Sequence, residues 1–150
     1  MNRAIDYLAS LKVKIGQNGS FYEDVYDNLK IKHCEVSGNS SKVLIELPLL
    51  PQMINILGNL DTGAIMTFID QLSTIAIAIV DDRYNVSVDL STNFISQVSK
   101  VKMLEFEITC HNVGRRLAFT STEIRADGKV IARGAHTKSM INLKWTNYKL

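Results

Sequence analysis

The chain has 150 residues, 46% of them hydrophobic, with 17 basic and 15 acidic side chains, a net charge of +2 and a pI near 8.5. That length supports one domain with a real core and is short for two ordinary ones. No long basic block is present, so a nucleic-acid footprint is not indicated, whereas a slight positive excess suits a small polyanionic ligand. Two cysteines, Cys34 and Cys110, are too few to staple a secreted fold of this size, and their spacing fits no metal site.

Residues 1–12 place Ile5, Leu8 and Leu11 at helical spacing, and a second short helix is expected over roughly 21–30, after the cap-forming residue Ser20. Gly16–Ser20 reads as the loop between them, and its Asn18-Gly19-Ser20 sequon is attributed to chance. The opening Met-Asn-Arg-Ala-Ile-Asp-Tyr-Leu has no signal-peptide core, so a cytoplasmic protein is expected, with a mitochondrial compartment left open. Residues 1–30 thus form a helical extension of a single domain spanning 1–150.

Ile31–Val36 and Ser41–Leu49 read as strands joined by the hairpin signal Ser37-Gly38-Asn39-Ser40. Pro51 ends that extended region. From Thr62 to Val80, apolar residues recur at Ile65, Phe68, Ile69, Leu72, Ile75, Ala76 and Ile79, the pattern of a helix. Met66, Ile77 and Ala78 lie off this face, so the helix is enclosed on several sides. Its longest apolar run, Leu72–Val80, contains Ser73 and Thr74 and is too short for stable membrane insertion.

The remainder alternates with period two. Val86, Val88 and Leu90 oppose Ser87, Asp89 and Ser91, while Leu104, Phe106, Ile108 and Cys110 oppose Glu105, Glu107, Thr109 and His111. Leu117–Arg125 and Lys129–Thr137 continue the pattern, with turns at Asn112-Val113-Gly114 and Ala126-Asp127-Gly128. The fold class that follows is α+β, an antiparallel sheet wrapped around one long central helix.

Two features of that helix point to chemistry. Its start offers unpaired amides and a partial positive charge to an oxygen gaining negative charge. One carboxylate, Asp70, lies between Ile69 and Leu72, where burial is expected to raise its pKa. Gly63 and Asp70 share a side of the helix but stand roughly 10 Å apart along its axis. One carbonyl cannot touch both, so joint action requires two chains. His33, His111 and His136 are scattered; neither a metal site nor a Ser-His-Asp set is expected. Other roles remain open beside these: Asp61 as a helix cap, Asn55 as a turn residue and Ser87 as the polar side of a strand.

Asn55-Ile-Leu-Gly-Asn-Leu-Asp-Thr-Gly63, Asp70-Gln-Leu-Ser-Thr74, Val86-Ser-Val-Asp-Leu90, Gly114-Arg-Arg-Leu-Ala118 and Gly134-Ala-His-Thr-Lys138 together resemble the hotdog-fold acyl-CoA thioesterases. The similar branch is the phenylacetate-pathway and thioesterase-superfamily-member-2 group, and the likeness runs over about residues 30–140. The resemblance implies hydrolysis of an acyl-CoA thioester with no metal or separate cofactor, coenzyme A being part of the substrate. It also implies a homodimer joined by its sheets, often doubled to a dimer of dimers.

By resemblance Asp70 is base or nucleophile, Thr62 and Gly63 supply oxyanion amides, and Asn55 and Ser87 position carbonyl and water. Asp61 would then lie beside the thioester, with Arg115, Arg116, His136 and Lys138 facing the nucleotide and phosphates. The family's usual His-Gly-Gly is Asp61-Thr62-Gly63 here. That departure supports a competing reading, a catalytically weak or inactive hotdog module that binds acyl-CoA or acts as an assembly subunit.

Overall fold

A computed structural model describes residues 2–15 and 21–144. The expected 16–20 loop, its sequon and the Ser20 cap lie outside the described residues. The elements run α1 (Asn2–Ile15), α2 (Phe21–Asn28), β1 (Lys30–Ser37), β2 (Ser40–Pro48), α3 (Thr62–Ala78), β3 (Arg83–Phe94), β4 (Met103–Val113), β5 (Leu117–Ala126) and β6 (Lys129–Lys144). The six strands form one sheet in the order β1-β2-β4-β5-β6-β3, every pairing antiparallel.

Alternation puts the apolar residues on one face. Val43, Ile45 and Leu47 of β2, Leu104, Phe106 and Ile108 of β4, and Ala118 and Ile124 of β5 are all buried there. α3 lies on that face and packs against β2 through β6, with Phe68 meeting Phe106 edge to face at a centroid distance of 5.5 Å. Asp127 and Gly128 turn the β5–β6 hairpin with positive φ values of 50° and 73°, as a tight hairpin turn requires.

β3 and β6 are longer than the alternation alone indicated. β3 is an edge strand whose exposed Val86 and Val88 blur a two-sided pattern, and β6 continues beyond Thr137 because it pairs with both β3 and β5. α1 packs on α3 through buried Ala4, Tyr7 and Leu8. Arg3 Nη1 donates to the Ile79 and Val80 carbonyls, each at 3.2 Å, capping the C-terminal end of α3 with a cation. No helix among the described residues is long and apolar enough to cross a membrane.

Candidate active site

The inner face of β6 carries Gly134, His136 and Lys138, all buried and all under α3. At Gly134 the approach is so close that an added Cβ would lie 2.6 Å from Ile69 Cδ1. Glycine therefore lets α3 settle onto β6, and that contact brings the next residue of the helix, Asp70, over Lys138. Antiparallel pairing sets Ser87 of β3 opposite Lys138.

The carboxylate is held from three sides. Ser87 Oγ and Lys138 Nζ each donate to Asp70 Oδ1 at 3.0 Å, and Gln71 Nε2 donates to Oδ2 at 3.3 Å. Gln71 is in turn fixed by Tyr26 of α2, whose hydroxyl donates to Gln71 Oε1 at 3.0 Å. Burial acts to raise the Asp70 carboxyl, as the sequence suggested. The Lys138 charge and the hydrogen bonds from Lys138 and Ser87 outweigh it and hold Asp70 below the usual carboxylate range. The expected rise is thereby corrected: Asp70 is half-buried beside a cation. Lys138 is itself lowered, burial opposing the pull of Asp70.

His136 is 1% exposed. Its Nδ1 lies 2.8 Å from Ser73 Oγ, and its Nε2 lies 3.6 Å from Asp70 Oδ1 with no hydrogen-bond partner among the described residues. Burial, reinforced by Lys138, pushes its pKa down to about 4, so the ring is neutral near pH 7. The Ser73 hydroxyl has one proton: donated to the Asp70 carbonyl it leaves Oγ to accept from Nδ1–H, and donated to Nδ1 it leaves the ring proton on Nε2, facing the carboxylate.

A serine, a histidine and an aspartate thus do meet, contrary to the expectation that no such set exists. Ser73 is nevertheless fully buried, so its hydroxyl cannot reach a substrate as a nucleophile. The signal that could have found it is a hydroxyl at three residues from Asp70 on a face that has to be buried. Ser73 and Thr74 hydroxyls also both lie 3.0 Å from the Asp70 carbonyl, local bonds of the sort that make such residues look merely helical.

The start of α3 carries the other expected group. Asp61 Oδ1 accepts from Gly63 N at 2.7 Å and Ala64 N at 3.2 Å, a side-chain N-cap. Of the two candidate oxyanion amides, that of Gly63 is occupied by this cap, while Thr62 makes no such bond to the described residues. Asn55 Oδ1 accepts from the Leu57 and Asn59 amides at 2.9 and 3.1 Å, closing its own turn. Arg115 and Arg116 have exposed side chains in the β4–β5 turn. That turn is tied to Arg83, which donates to the Gly114 and Arg115 carbonyls at 2.9 and 2.8 Å.

A cavity of about 370 Å³ opens at Asp70, between α1, α3 and the start of β3. A second, of about 250 Å³, flanks the start of α3 beside Thr62 and is walled by Leu60, Ile65, Phe94, Ile95 and Val98. Asp70 and Ser87 line the first; neither lines the second. Among the described residues, no group of three or more His, Cys, Asp or Glu side chains could hold a metal ion.

An antiparallel sheet packed on one long helix defines the hotdog fold. The family model described as Thioesterase superfamily matches residues 57–132, just over half of the chain. Human acyl-coenzyme A thioesterase 13 is 34% identical over 112 residues, covering 71% of this chain and 79% of that protein. The crystal structure of zebra fish thioesterase superfamily member 2 superposes with a TM-score of 0.73 at 24% identity, covering 88% of this chain and 94% of that one. A hypothetical thioesterase protein from Streptococcus pneumoniae, solved with coenzyme A, gives a TM-score of 0.68 at 18% identity, over 79% of this chain and 89% of that one. The chain belongs to the thioesterase superfamily, and its class of reaction is thioester hydrolysis.

Proposed function

We propose that the protein hydrolyses an acyl-CoA thioester to the free acid and coenzyme A, at a site composed from two copies of the chain. The observation that carries this reading is the Asp70 carboxylate, kept ionised by Lys138 and Ser87 at the mouth of a cavity. Oδ1 takes both strong donors, so Oδ2, with only the longer bond from Gln71, is the oxygen that faces water or the thioester carbon. Acting as base, Asp70 takes a proton from water as the water oxygen attacks the carbonyl. The C–S bond then breaks and the proton passes to the departing thiolate. Acting as nucleophile, Asp70 forms a mixed anhydride as the C–S bond breaks and coenzyme A leaves as thiolate; water then hydrolyses the anhydride, giving the acid, restoring the carboxylate and supplying the thiolate's proton.

The developing oxyanion would rest on the Thr62 amide at a helix start, with the Asn55 Nδ2 group as a second donor. Eight residues separate Thr62 from Asp70, roughly 12 Å along the axis, so the amide has to come from the other copy. The outer edge of β3 supports that arrangement. Twelve residues long and unpaired among the described residues, with Val86 and Val88 exposed, it is the type of edge that a second sheet covers. A homodimer, doubled to a dimer of dimers, is the assembly this favours. Lys138 and His136 then serve the carboxylate from below, and the exposed Arg115 and Arg116 are left as candidates for the phosphates of coenzyme A. Human acyl-coenzyme A thioesterase 13 and the coenzyme A-bound streptococcal protein support acyl-CoA as the substrate class.

A second reading draws on Asp61. Its carboxylate sits on the Gly63 and Ala64 amides, where it opposes negative charge on a nearby oxyanion; losing one such donor typically costs about 10²–10³ in rate. This favours a slow enzyme or a binding module. Release of free thiol from acyl-CoA by purified protein separates the two. Hydrolysis by the natural chain and its loss in a folded Asp70→Asn variant support the enzyme. Tight acyl-CoA binding without turnover supports the module, and full activity in Asp70→Asn refutes the assignment of Asp70.

A further inference from the structure

We propose that the Tyr26 hydroxyl and the Gln71 amide form a relay that orients the Oδ2 oxygen of Asp70, making Tyr26 of α2 a positioning residue for the hydrolysis. This inference rests on the thioesterase reading above and deepens it.

The need for the relay comes from how the carboxylate is held. Ser87 Oγ and Lys138 Nζ both donate to Oδ1. Two bonds on one oxygen fix that oxygen and its charge, yet the group still rocks about Cβ–Cγ, a torsion whose wells are broad. Oδ2 is the oxygen turned to water or the thioester carbon, and Gln71 Nε2 meets it at 3.3 Å. That third bond fixes the plane of the carboxylate. Asp70 and Gln71 both line the cavity, so the plane is set at the cavity wall.

Consecutive side chains of a helix point apart, so Gln71 does not turn back to Asp70 merely because it follows it in α3. It needs an outside anchor. Tyr26 supplies one from 45 positions away, its hydroxyl donating to Gln71 Oε1 at 3.0 Å. The polarity of this chain has one solution. An ionised carboxylate only accepts, so Nε2 turns to Asp70, Oε1 turns to α2, and the group meeting Oε1 has to be a donor. The anchor is also rigid: Tyr26 is 1% exposed, with Val25 and Leu29 of the same segment buried beside it. A glutamine left to itself would have several rotatable bonds to settle.

The test is kinetic and uses the full chain, on the fastest of acetyl-, octanoyl-, phenylacetyl- and palmitoyl-CoA. Tyr26→Phe keeps the ring and drops the donor, while Gln71→Met keeps the length and drops the amide. A neutral hydrogen bond is worth about fivefold, so Tyr26→Phe should lower kcat by about that factor. Freeing the carboxylate plane costs more, and Gln71→Met should lower kcat about tenfold. KM should stay within about twofold in both. The acid limb of the Tyr26→Phe profile should stay in place, because Lys138 and Ser87 hold the Asp70 charge. Since Tyr26 acts through Gln71, the double variant should be no slower than Gln71→Met, whereas independent losses would multiply to about fiftyfold.

Natural kcat in Tyr26→Phe, a loss carried by KM alone, a displaced acid limb or losses that multiply would each overturn the relay while leaving the thioesterase reading intact. If Tyr26→Phe fails to fold by circular dichroism, Gln71→Met decides, its side chain being only half-buried. A fall in kcat at unchanged KM then supports the relay, and natural kcat overturns it. Absence of turnover on every ester by the natural chain overturns the thioesterase reading itself, and this inference with it.

Discussion

Gly134→Ala is a severe test of how the site is held together, because the perturbation is one methyl group. Gly134 lies on the inner face of β6, paired with Thr92 of β3 and Thr122 of β5, so the backbone there is fixed from both sides. A Cβ at this position meets Ile69 Cδ1 at 2.6 Å, Cγ2 at 2.8 Å and Cγ1 at 3.1 Å, where ordinary contact begins at 3.4 Å. Cδ1 can move by χ2 rotation, but Cγ2 moves only with the helix backbone or by a change of χ1, which is stiff for a β-branched residue in a helix. α3 therefore has to lift by the better part of roughly 1 Å, or Ile69 has to leave its rotamer.

Overpacking of this kind costs about 1–3 kcal/mol. In a chain of this length each kcal/mol lowers Tm by about 2–4 °C, so the expected fall is roughly 2–12 °C. Because Asp70 follows Ile69 directly, the lift also draws the carboxylate from Ser87 and Lys138. A misplacement near 1 Å is worth up to about 10²-fold in kcat. Differential scanning calorimetry with thiol-release kinetics reads both. Ile69→Val, which deletes Cδ1, should recover part of the loss, giving a coupling of at least about 0.5 kcal/mol in a double-mutant cycle. A neutral Gly134→Ala, or strict additivity with Ile69→Val, would refute the reasoning.

Other outcomes follow from the ionisable groups and the cap. In Lys138→Met the burial of Asp70 loses its strongest opposition, leaving the Ser87 hydrogen bond, so the acid limb of the kcat/KM profile should move to higher pH; an unmoved limb means Lys138 does not set it. His136 is depressed to about 4 in the folded state, so the unfolded chain takes up its proton first as pH falls below 6.5. Unfolding free energy should then decline by roughly 3 kcal/mol between pH 6.5 and 4, read by urea titrations, and the decline should vanish in His136→Phe. The loss from Asp70 has the same sign but lies lower, below the ordinary carboxylate value of 3.8, where the unfolded chain protonates first. Asp61→Ala removes the acceptor of two amides and should cost about 1 kcal/mol in urea unfolding; a variant as stable as the natural chain counts against the cap.

The sheet was legible wherever one face had to be buried. Leu104, Phe106, Ile108 and Cys110 alternate with Glu105, Glu107, Thr109 and His111 because β4 has strands on both sides and α3 on one face. β3 was read short because an edge strand lacks that constraint. Asp70 stood out because a carboxylate in an apolar helix needs a partner. Which partner was not legible: Lys138 reaches Asp70 only through the β3–β6 register and the close approach at Gly134, both tertiary facts. His136 looked like one residue of a polar strand end, yet its inward parity buries it against Ser73. Gln71 and Tyr26 gave no signal, since they lie 45 positions apart and neither is unusual in its own element.

That last pair has an evolutionary reach. The donor on Asp70 Oδ2 is oriented from residue 26, in a short helix ahead of the sheet and outside the stretch 57–132 that the family model matches. A chain lacking α1 and α2 would keep α3, the whole sheet and the Ser87 and Lys138 donors on Oδ1, while Gln71, the donor to Oδ2, would lose the Tyr26 hydroxyl that fixes it. The short helices ahead of the sheet are thus where two relatives with the same scaffold can differ in how firmly that acid is aimed.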